Sequence, residues 1–275
     1  MPNAPRKSVL AIFAHPDDIE FVAAGTLLQL GQRGWELHYL NLCSGSGGSV
    51  RMDAVTTADV RLGEARKAAG ELGATFYPPI GRDLELVYSI EAVRKVAAVV
   101  REARPSVVLT HSPADYMEDH TNASRLAVTA AFAHGVPNFL TDPPRDAFFE
   151  DVSLYHAMPH GLRNPLRQRV RAGLYVNTAP VQARKRAALG CHASQKEWLD
   201  VSQGMDSYVA SMDEISRSVG VLSGRFEYAE GWRRHLHLGL SGRDKDPLAE
   251  ALGADCVVDS AYEEGLETPM GAAHG

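Results

Sequence analysis

The sequence predicts an α/β protein: a Rossmann-like open, mostly parallel sheet flanked by helices, with a mostly helical C-terminal extension. Three observations predict it. Short apolar runs of strand length alternate with segments of helical apolar spacing. The connections between them are short, which implies parallel strands with right-handed crossovers. Stop signals stand where the helical spacing ends, at Gly34, Gly73 and Arg104-Pro105.

The elements follow in order. Ser8–Ala14 is an unbroken apolar run, as expected of a strand buried on both faces. Asp18–Arg33 places Ile19, Val22, Leu27, Leu28 and Leu30 at helical spacing. Trp35–Cys43 reads as the second strand, Ala58–Leu72 as the second helix and Thr75–Ile80 as the third strand. Ile90–Ala103 is the third helix and Val107–Thr110 the fourth strand. Beyond residue 140 the pattern blurs around Pro143, Pro144, Pro159 and Pro165, with Ser153–Ala157 and Leu174–Thr178 as further candidate strands. From Pro180 onward the chain reads as mostly helical, through Trp198 and Met212 to Trp232, and Asp255–Gly275 has few apolar residues and is expected to pack loosely. The division expected is a catalytic α/β core over residues 1–180 and an extension over 181–275 packed on it as one continuous domain.

Open sheets of this kind bind ligands outside the carboxyl ends of their strands. Functional residues are therefore expected just after strands one, two and four.

At 275 residues the chain can bury a large core, and 45% hydrophobic with 23% charged residues is ordinary for a globular protein. A net charge of −6 argues against a nucleic-acid partner. No stretch approaches the roughly 18 continuous apolar residues of a membrane span. The run Val9–Ala14 is too short for a signal peptide and ends in His15-Pro16-Asp17-Asp18. The three cysteines, Cys43, Cys191 and Cys256, are odd in number and lack CxxC spacing. They point to reduced thiols in a cytoplasm rather than a disulfide framework. Nothing in the pattern speaks against a homo-oligomer.

Two clusters carry chemistry. His15-Pro16-Asp17-Asp18 follows strand one. His15 and Asp18 are three residues apart, so one turn can aim an imidazole and a carboxylate at a single metal ion, and Pro16 stiffens that turn. Asp17, pointing elsewhere, is free to take a proton from a metal-activated water. The alternative is that Asp17 or Asp18 merely caps the next helix. After strand four come His111, Asp115, Asp119 and His120. His120 would complete a set of three protein ligands with His15 and Asp18, leaving one position for water. Asp119 is placed to orient a histidine. The alternative is a polar loop decorated with acids. Ser44-Gly45-Ser46-Gly47-Gly48-Ser49 fits neither phosphate-loop pattern and reads as a mobile loop bordering the site.

Ala14-His15-Pro16-Asp17-Asp18 followed by Ala24-Gly25-Thr26 resembles the first motif of the LmbE-like, or PIG-L, zinc deacetylases. These include de-N-acetylases of glucosamine conjugates in glycolipid and low-molecular-weight thiol synthesis. Asp119-His120 resembles the second half of the family's His-Pro-Asp-His motif. Arg61-Leu62-Gly63-Glu64-Ala65 with Leu72-Gly73 resembles its arginine-bearing helix, and His192-Ala193-Ser194-Gln195 its His-x-Ser-Gln motif. The resemblance runs in order from about Ser8 to Gln195.

It implies one Zn²⁺ per chain, or another divalent transition metal, on His15, Asp18 and His120. Asp17 becomes the general base, and Arg61 and His192 contact the substrate or the developing oxyanion. For Arg61 the alternative is an exposed pair with Glu64, and for His192 a structural histidine. Met117 and Glu118 depart from the family's first His and Pro, and a methionine donates no useful proton. The acid role then falls to His192, His111 or a proton carried by Asp17, and Met117 becomes an apolar wall for the substrate.

The activity implied is hydrolysis of the N-acetyl group of an amino sugar or its conjugate, a small molecule. An amidase acting on a larger N-acyl or thiol conjugate is the enzymatic alternative. A metal-free nucleotide-binding or regulatory α/β domain, using Gly45–Ser49, is the alternative from another class.

Overall fold

The computed structural model describes residues 7–195 and 208–267. Its eight strands form one sheet: β1 (Ser8–Phe13), β2 (Glu36–Asn41), β3 (Thr75–Tyr77), β4 (Val107–Thr110), β5 (Ser153–Ala157), β6 (Leu174–Asn177), β7 (Ala229–Arg234) and β8 (Cys256–Val258). The order across the sheet is β3-β2-β1-β4-β5-β7-β6-β8. The first five of these are parallel, and β7 pairs antiparallel with both β5 and β6. Residues of β1 alternate between two apolar cores, with Val9, Ala11 and Phe13 on one face and Leu10 and Ile12 on the other. Both faces are covered, which explains the unbroken apolar run of the sequence.

The helices are α1 (Asp18–Val22), α2 (Ala24–Gly31), α3 (Ala54–Leu72), α4 (Ile90–Ala103), α5 (Glu118–Phe132), α6 (Gln182–Leu189), α7 (Tyr208–Ser223), α8 (Pro247–Leu252) and α9 (Ser260–Glu267). α3 starts four residues earlier than its apolar spacing suggests, because Asp53 caps the amides of Val55 and Thr56. It ends on Gly73 at φ 75°, a conformation open to glycine. β3 is cut short at Tyr77 by Pro78-Pro79, which cannot continue a ladder.

The structure departs from the expected elements in several places. The single helix over Asp18–Arg33 is two helices, broken at Ala23, and the break turns the amides of Gly25 and Thr26 onto the carboxylate of Glu230 (2.8 and 2.7 Å). A side chain at position 25 would collide with Thr178 and Glu230, so the close approach requires glycine. Glu118–Phe132 is a helix, and the cluster ending in His120 enters its first turn. Trp232 lies in β7, inside the sheet, rather than in a helix. Trp198 lies outside the described residues, as do residues 268–275. The segment just before them is more ordered than its composition suggests, with β8 paired to β6.

Glu230 also accepts from Thr26 Oγ1 (2.7 Å) and from Lys185 Nζ (2.7 Å), and Trp232 Nε1 donates to Thr26 Oγ1 (2.9 Å). This buried network ties α2 to α6 and β7, so residues on both sides of position 180 share one sheet and one core.

Candidate metal centre and active site

In the strand order 3-2-1-4 the chain reverses direction of growth between β1 and β4, and the crevice at that switch point is the expected ligand site. The two sequence clusters meet there. The turn after β1 holds Asp17 at φ 109°, an unusual conformation for a residue with a side chain. Neither acid caps α1: Asp17 makes no side-chain capping bond, and Asp18 Oδ2 instead accepts from the amide of His15 (2.6 Å). Asn41, at the end of β2, braces the turn through the carbonyl of His15 (2.6 Å).

The segment after β4 delivers the partners. His120, on the first turn of α5, has Nδ1 3.0 Å from Asp115 Oδ1 and Nε2 3.5 Å from Asp18 Oδ1. His15 has Nε2 3.0 Å from Asp119 Oδ2 and Nδ1 3.4 Å from Asp18 Oδ2. In each case one ring nitrogen is within hydrogen-bond reach of a carboxylate, which leaves the other turned toward Asp18, where it can offer a lone pair to a cation. Asp119 is itself held by the amide of Leu84 (2.7 Å).

Three overlapping sets of side chains bring donor atoms within 4.8 Å of one another: His15, Asp18 and His120; His15, Cys43 and Asp83; and His111, Asp115 and His120. Chemistry separates them. Burial pushes the Cys43 thiol up to about 11, so it stays protonated and is a poor ligand. In the third set, His111 Nε2 already accepts from the amide of Ala14 (3.0 Å), and Asp115 is engaged by His120. His15, Asp18 and His120 remain. Burial disfavours charge on both of these imidazoles, yet Asp119 and Asp18 raise His15 well above its ordinary pKa, and Asp18 and Asp115 raise His120. Burial would raise Asp18, but His120 above all holds it well below the carboxylate range. The cluster therefore favours added positive charge, which is the property a cation site needs. The donor set fits a divalent metal.

A cavity of about 310 Å³ opens onto this cluster, within the range of small-molecule sites. Asp17, Arg61, His111 and Met117 line it. Both bonds of Asp17 fall on Oδ2, from Tyr208 Oη (2.6 Å) and Arg61 Nη2 (3.3 Å). Burial pushes the Asp17 carboxyl up, against the pull of Arg61 and with the help of Asp18. Arg61 is buried and also donates to the carbonyls of Pro16 and Gly45. The pair with Glu64 does not form, because Glu64 accepts from the amide and hydroxyl of Ser194 instead.

His192 needs correction as a substrate contact. It is fully buried, does not line the cavity, and has Nε2 3.4 Å from Glu20 Oε2. Burial lowers its pKa, but Glu20 and Asp17 raise it overall. It feels the charge of Asp17 from outside the cavity lining. His111 is stacked on His120 (3.9 Å between ring centres), and burial pushes it down to about 4, so it is neutral and has no proton to release as an acid.

The glycine-rich loop does border the cavity, through Gly47 and Gly48, but it is pinned rather than mobile. Asp83 accepts from the amides of Gly45 (2.7 Å) and Gly47 (2.9 Å), and Gln195 donates to the carbonyl of Gly48 (2.9 Å). A phosphate would meet a carboxylate where a nucleotide-binding loop offers free amides, which removes the support for the nucleotide-binding alternative.

Sequence reasoning missed His160, Tyr116, Asp83 and Tyr208. His160 and Tyr116 line the cavity. A signal for His160 was present: β5 is parallel to β4, so its carboxyl end also faces the crevice, and Pro159-His160-Gly161 follows it. Tyr208 carries no local signal at all.

Residues 10–131 match the family model described as PIG-L: GlcNAc-PI de-N-acetylase. The chain is 34% identical over 139 residues to the diacetylchitobiose deacetylase of Thermococcus kodakarensis, an alignment covering 48% of this chain and 52% of that protein. It thus spans about half the length of that relative. It is 28% identical over 245 residues to the 4-oxalmesaconate hydratase of Pseudomonas putida, covering 83% of this chain and 89% of that one. Among solved structures it superposes on the N,N'-diacetylchitobiose deacetylase of Pyrococcus horikoshii with a TM-score of 0.70 at 22% identity, covering 89% of each chain, a likeness of fold. Among the described residues, no helix is long and apolar enough to cross a membrane.

Proposed function

We propose, from the premise that residues 10–131 carry a PIG-L-type domain, that this chain is a zinc-dependent hydrolase removing the N-acetyl group of an amino sugar or its conjugate. The observation that carries the reading is the meeting of His15, Asp18 and His120 beside Asp17 in one cavity. Held by His15, Asp18 and His120, zinc would supply Lewis acidity and lower the pKa of a water to about 7.

The side chains do the rest. Asp17 takes a proton from the attacking water as the oxygen adds to the amide carbonyl. The raised pKa of Asp17 suits a group that keeps the proton and then passes it to the amine nitrogen as the C–N bond breaks, giving acetate and the free amine. Tyr208 and Arg61 hold the carboxylate in position through Oδ2. His160 lines the cavity, and burial lowers its pKa, so it faces the substrate as a neutral N–H donor for the carbonyl oxygen. Met117 gives an apolar wall. The three free cysteines support a reducing, cytoplasmic setting.

A second reading rests on the longer similarity to a hydratase, which takes in 83% of this chain. The same residues suit addition of water across a conjugated C=C bond, with Asp17 returning its proton to carbon. That chemistry has no amine leaving group and needs no acid at position 117.

One assay separates the readings. The metal-loaded protein is offered N-acetylglucosamine, a larger N-acyl thiol conjugate and an unsaturated dicarboxylate. Acetate release from the first supports the proposal. Release from the conjugate alone selects the larger-substrate amidase, and loss of conjugated-acid absorbance without acyl release selects the hydratase. Elemental analysis identifies the metal.

A further inference from the structure

A second cavity, of about 570 Å³, lies between α5, the β5–β7 pair and α9, and shares no lining residue with the catalytic one. Among the described residues its lining includes Arg125, Arg233, Arg234, His156 and His235, and no acidic residue. That is unusual in a chain of net charge −6.

Arg233 supplies a guanidinium to this lining without a carboxylate partner among the described residues. It stands opposite His156 in the β5–β7 register. Its Nη2 donates to Ser112 Oγ (2.8 Å), its Nε is sealed from solvent without an acceptor, and no carboxylate among the described residues comes within ion-pair reach. Its neighbour Arg234 also lines this cavity, but its charge is already matched by Asp244 (2.8 Å) and Glu263 (3.3 Å). Arg125 lies over the ring of Tyr88 (4.4 Å) and likewise has no carboxylate partner among the described residues. A partly buried guanidinium without a counter-charge is costly, and its planar fork matches an oxyanion better than any other ligand.

We propose that this cavity binds a small oxyanion, the carboxylate or phosphate group of a small molecule, with Arg233 as its principal partner and Arg125 as its second. The site sits directly behind the catalytic segment. Ser112, which holds Arg233, follows His111, whose carbonyl lies 2.9 Å from His156 Nδ1.

The test is calorimetric titration of the metal-loaded protein with inorganic phosphate and, separately, with malonate. Binding of at least one probe below ~10 mM is expected. Arg233→Gln should weaken it by about tenfold or more, and Arg125→Gln by a few-fold. His120→Ala should leave it unchanged. If Arg233→Gln does not fold, Arg233→Lys, which keeps the charge and loses the fork, should still weaken binding a few-fold.

No binding of either probe overturns the proposal. So does binding that survives Arg233→Gln and disappears in His120→Ala, since the anion then sits at the metal centre. Light scattering supplies the remaining arm. An oligomer that ignores both probes and dissociates in Arg233→Gln means that a second copy's carboxylate fills the cavity, which also overturns it.

Discussion

Two clusters of charge stand at the starts of α1 and α2, and they are completed to different degrees. At Glu230 both oxygens are satisfied, Oε1 by Lys185 and the Gly25 amide and Oε2 by the Thr26 amide and hydroxyl. At Asp18 a carboxylate faces three imidazoles whose protons are largely committed elsewhere, to Asp115 and Asp119, and a cavity opens beside it. The first cluster is closed and joins elements. The second is short of positive charge and open, as a site that takes a cation must be. Burial and ion pairing alone do not mark function; an unfinished arrangement beside a cavity does.

That contrast can be broken at either end. The largest effect is expected at Asp17. Asp17→Asn should keep its metal, measured by elemental analysis, and lose about 10²–10⁴ in turnover. Turnover close to that of the parent would remove Asp17 from the chemistry. At the closed cluster, Lys185→Met leaves a buried carboxylate without its counter-charge and should lower unfolding stability by about 3–5 kcal/mol in urea titrations. Metal affinity should hold in that variant. A variant that loses metal and keeps its stability would reverse the roles assigned to the two clusters.

A pH experiment sharpens the comparison from a neutral buried group. Burial pushes His156 down to about 4, so the folded chain keeps it uncharged. The unfolded chain takes up that proton as pH falls through about 6.5, so stability should decline between about 6.5 and 4 and level off below. The shift corresponds to about 3 kcal/mol, and His156→Gln should flatten the profile over that window. A parallel decline in both proteins would assign the loss to other groups. The smallest effect is expected from Asp115→Asn, which should weaken metal binding by about 10–100-fold with little change in stability, because it orients His120 without touching the metal. Unchanged affinity would mean that the α5 backbone alone positions the ring.

Legibility in the sequence followed locality. β1, β2 and β4 were readable because strands buried on both faces are written as apolar runs, and His15, Asp18 and His120 because they follow such runs. The break at Ala23 was not readable, since its cause is Glu230, some 200 residues away. The same holds for Tyr208 on Asp17 and for β7, whose polar Glu230, Arg233 and Arg234 hide a strand at the centre of the sheet's second half. The first turn of α5 was hidden differently: its residues are chosen for the site, so their pattern reports chemistry rather than helix. Helical spacing likewise placed Arg61 on α3 but could not show that the guanidinium would hold Asp17 and two carbonyls in place of Glu64.

The position of β7 has a consequence for how the chain is made. β5 and β6 are not neighbours; each waits for the same later segment, which emerges from the ribosome some fifty residues after β6. Until then β5 and β6 each present an unpaired edge, the kind of surface on which nascent chains stick to one another. Synthesis stalled in that interval should therefore give aggregates, and a chaperone's hold on the chain should be released once residues 229–234 slot into the gap.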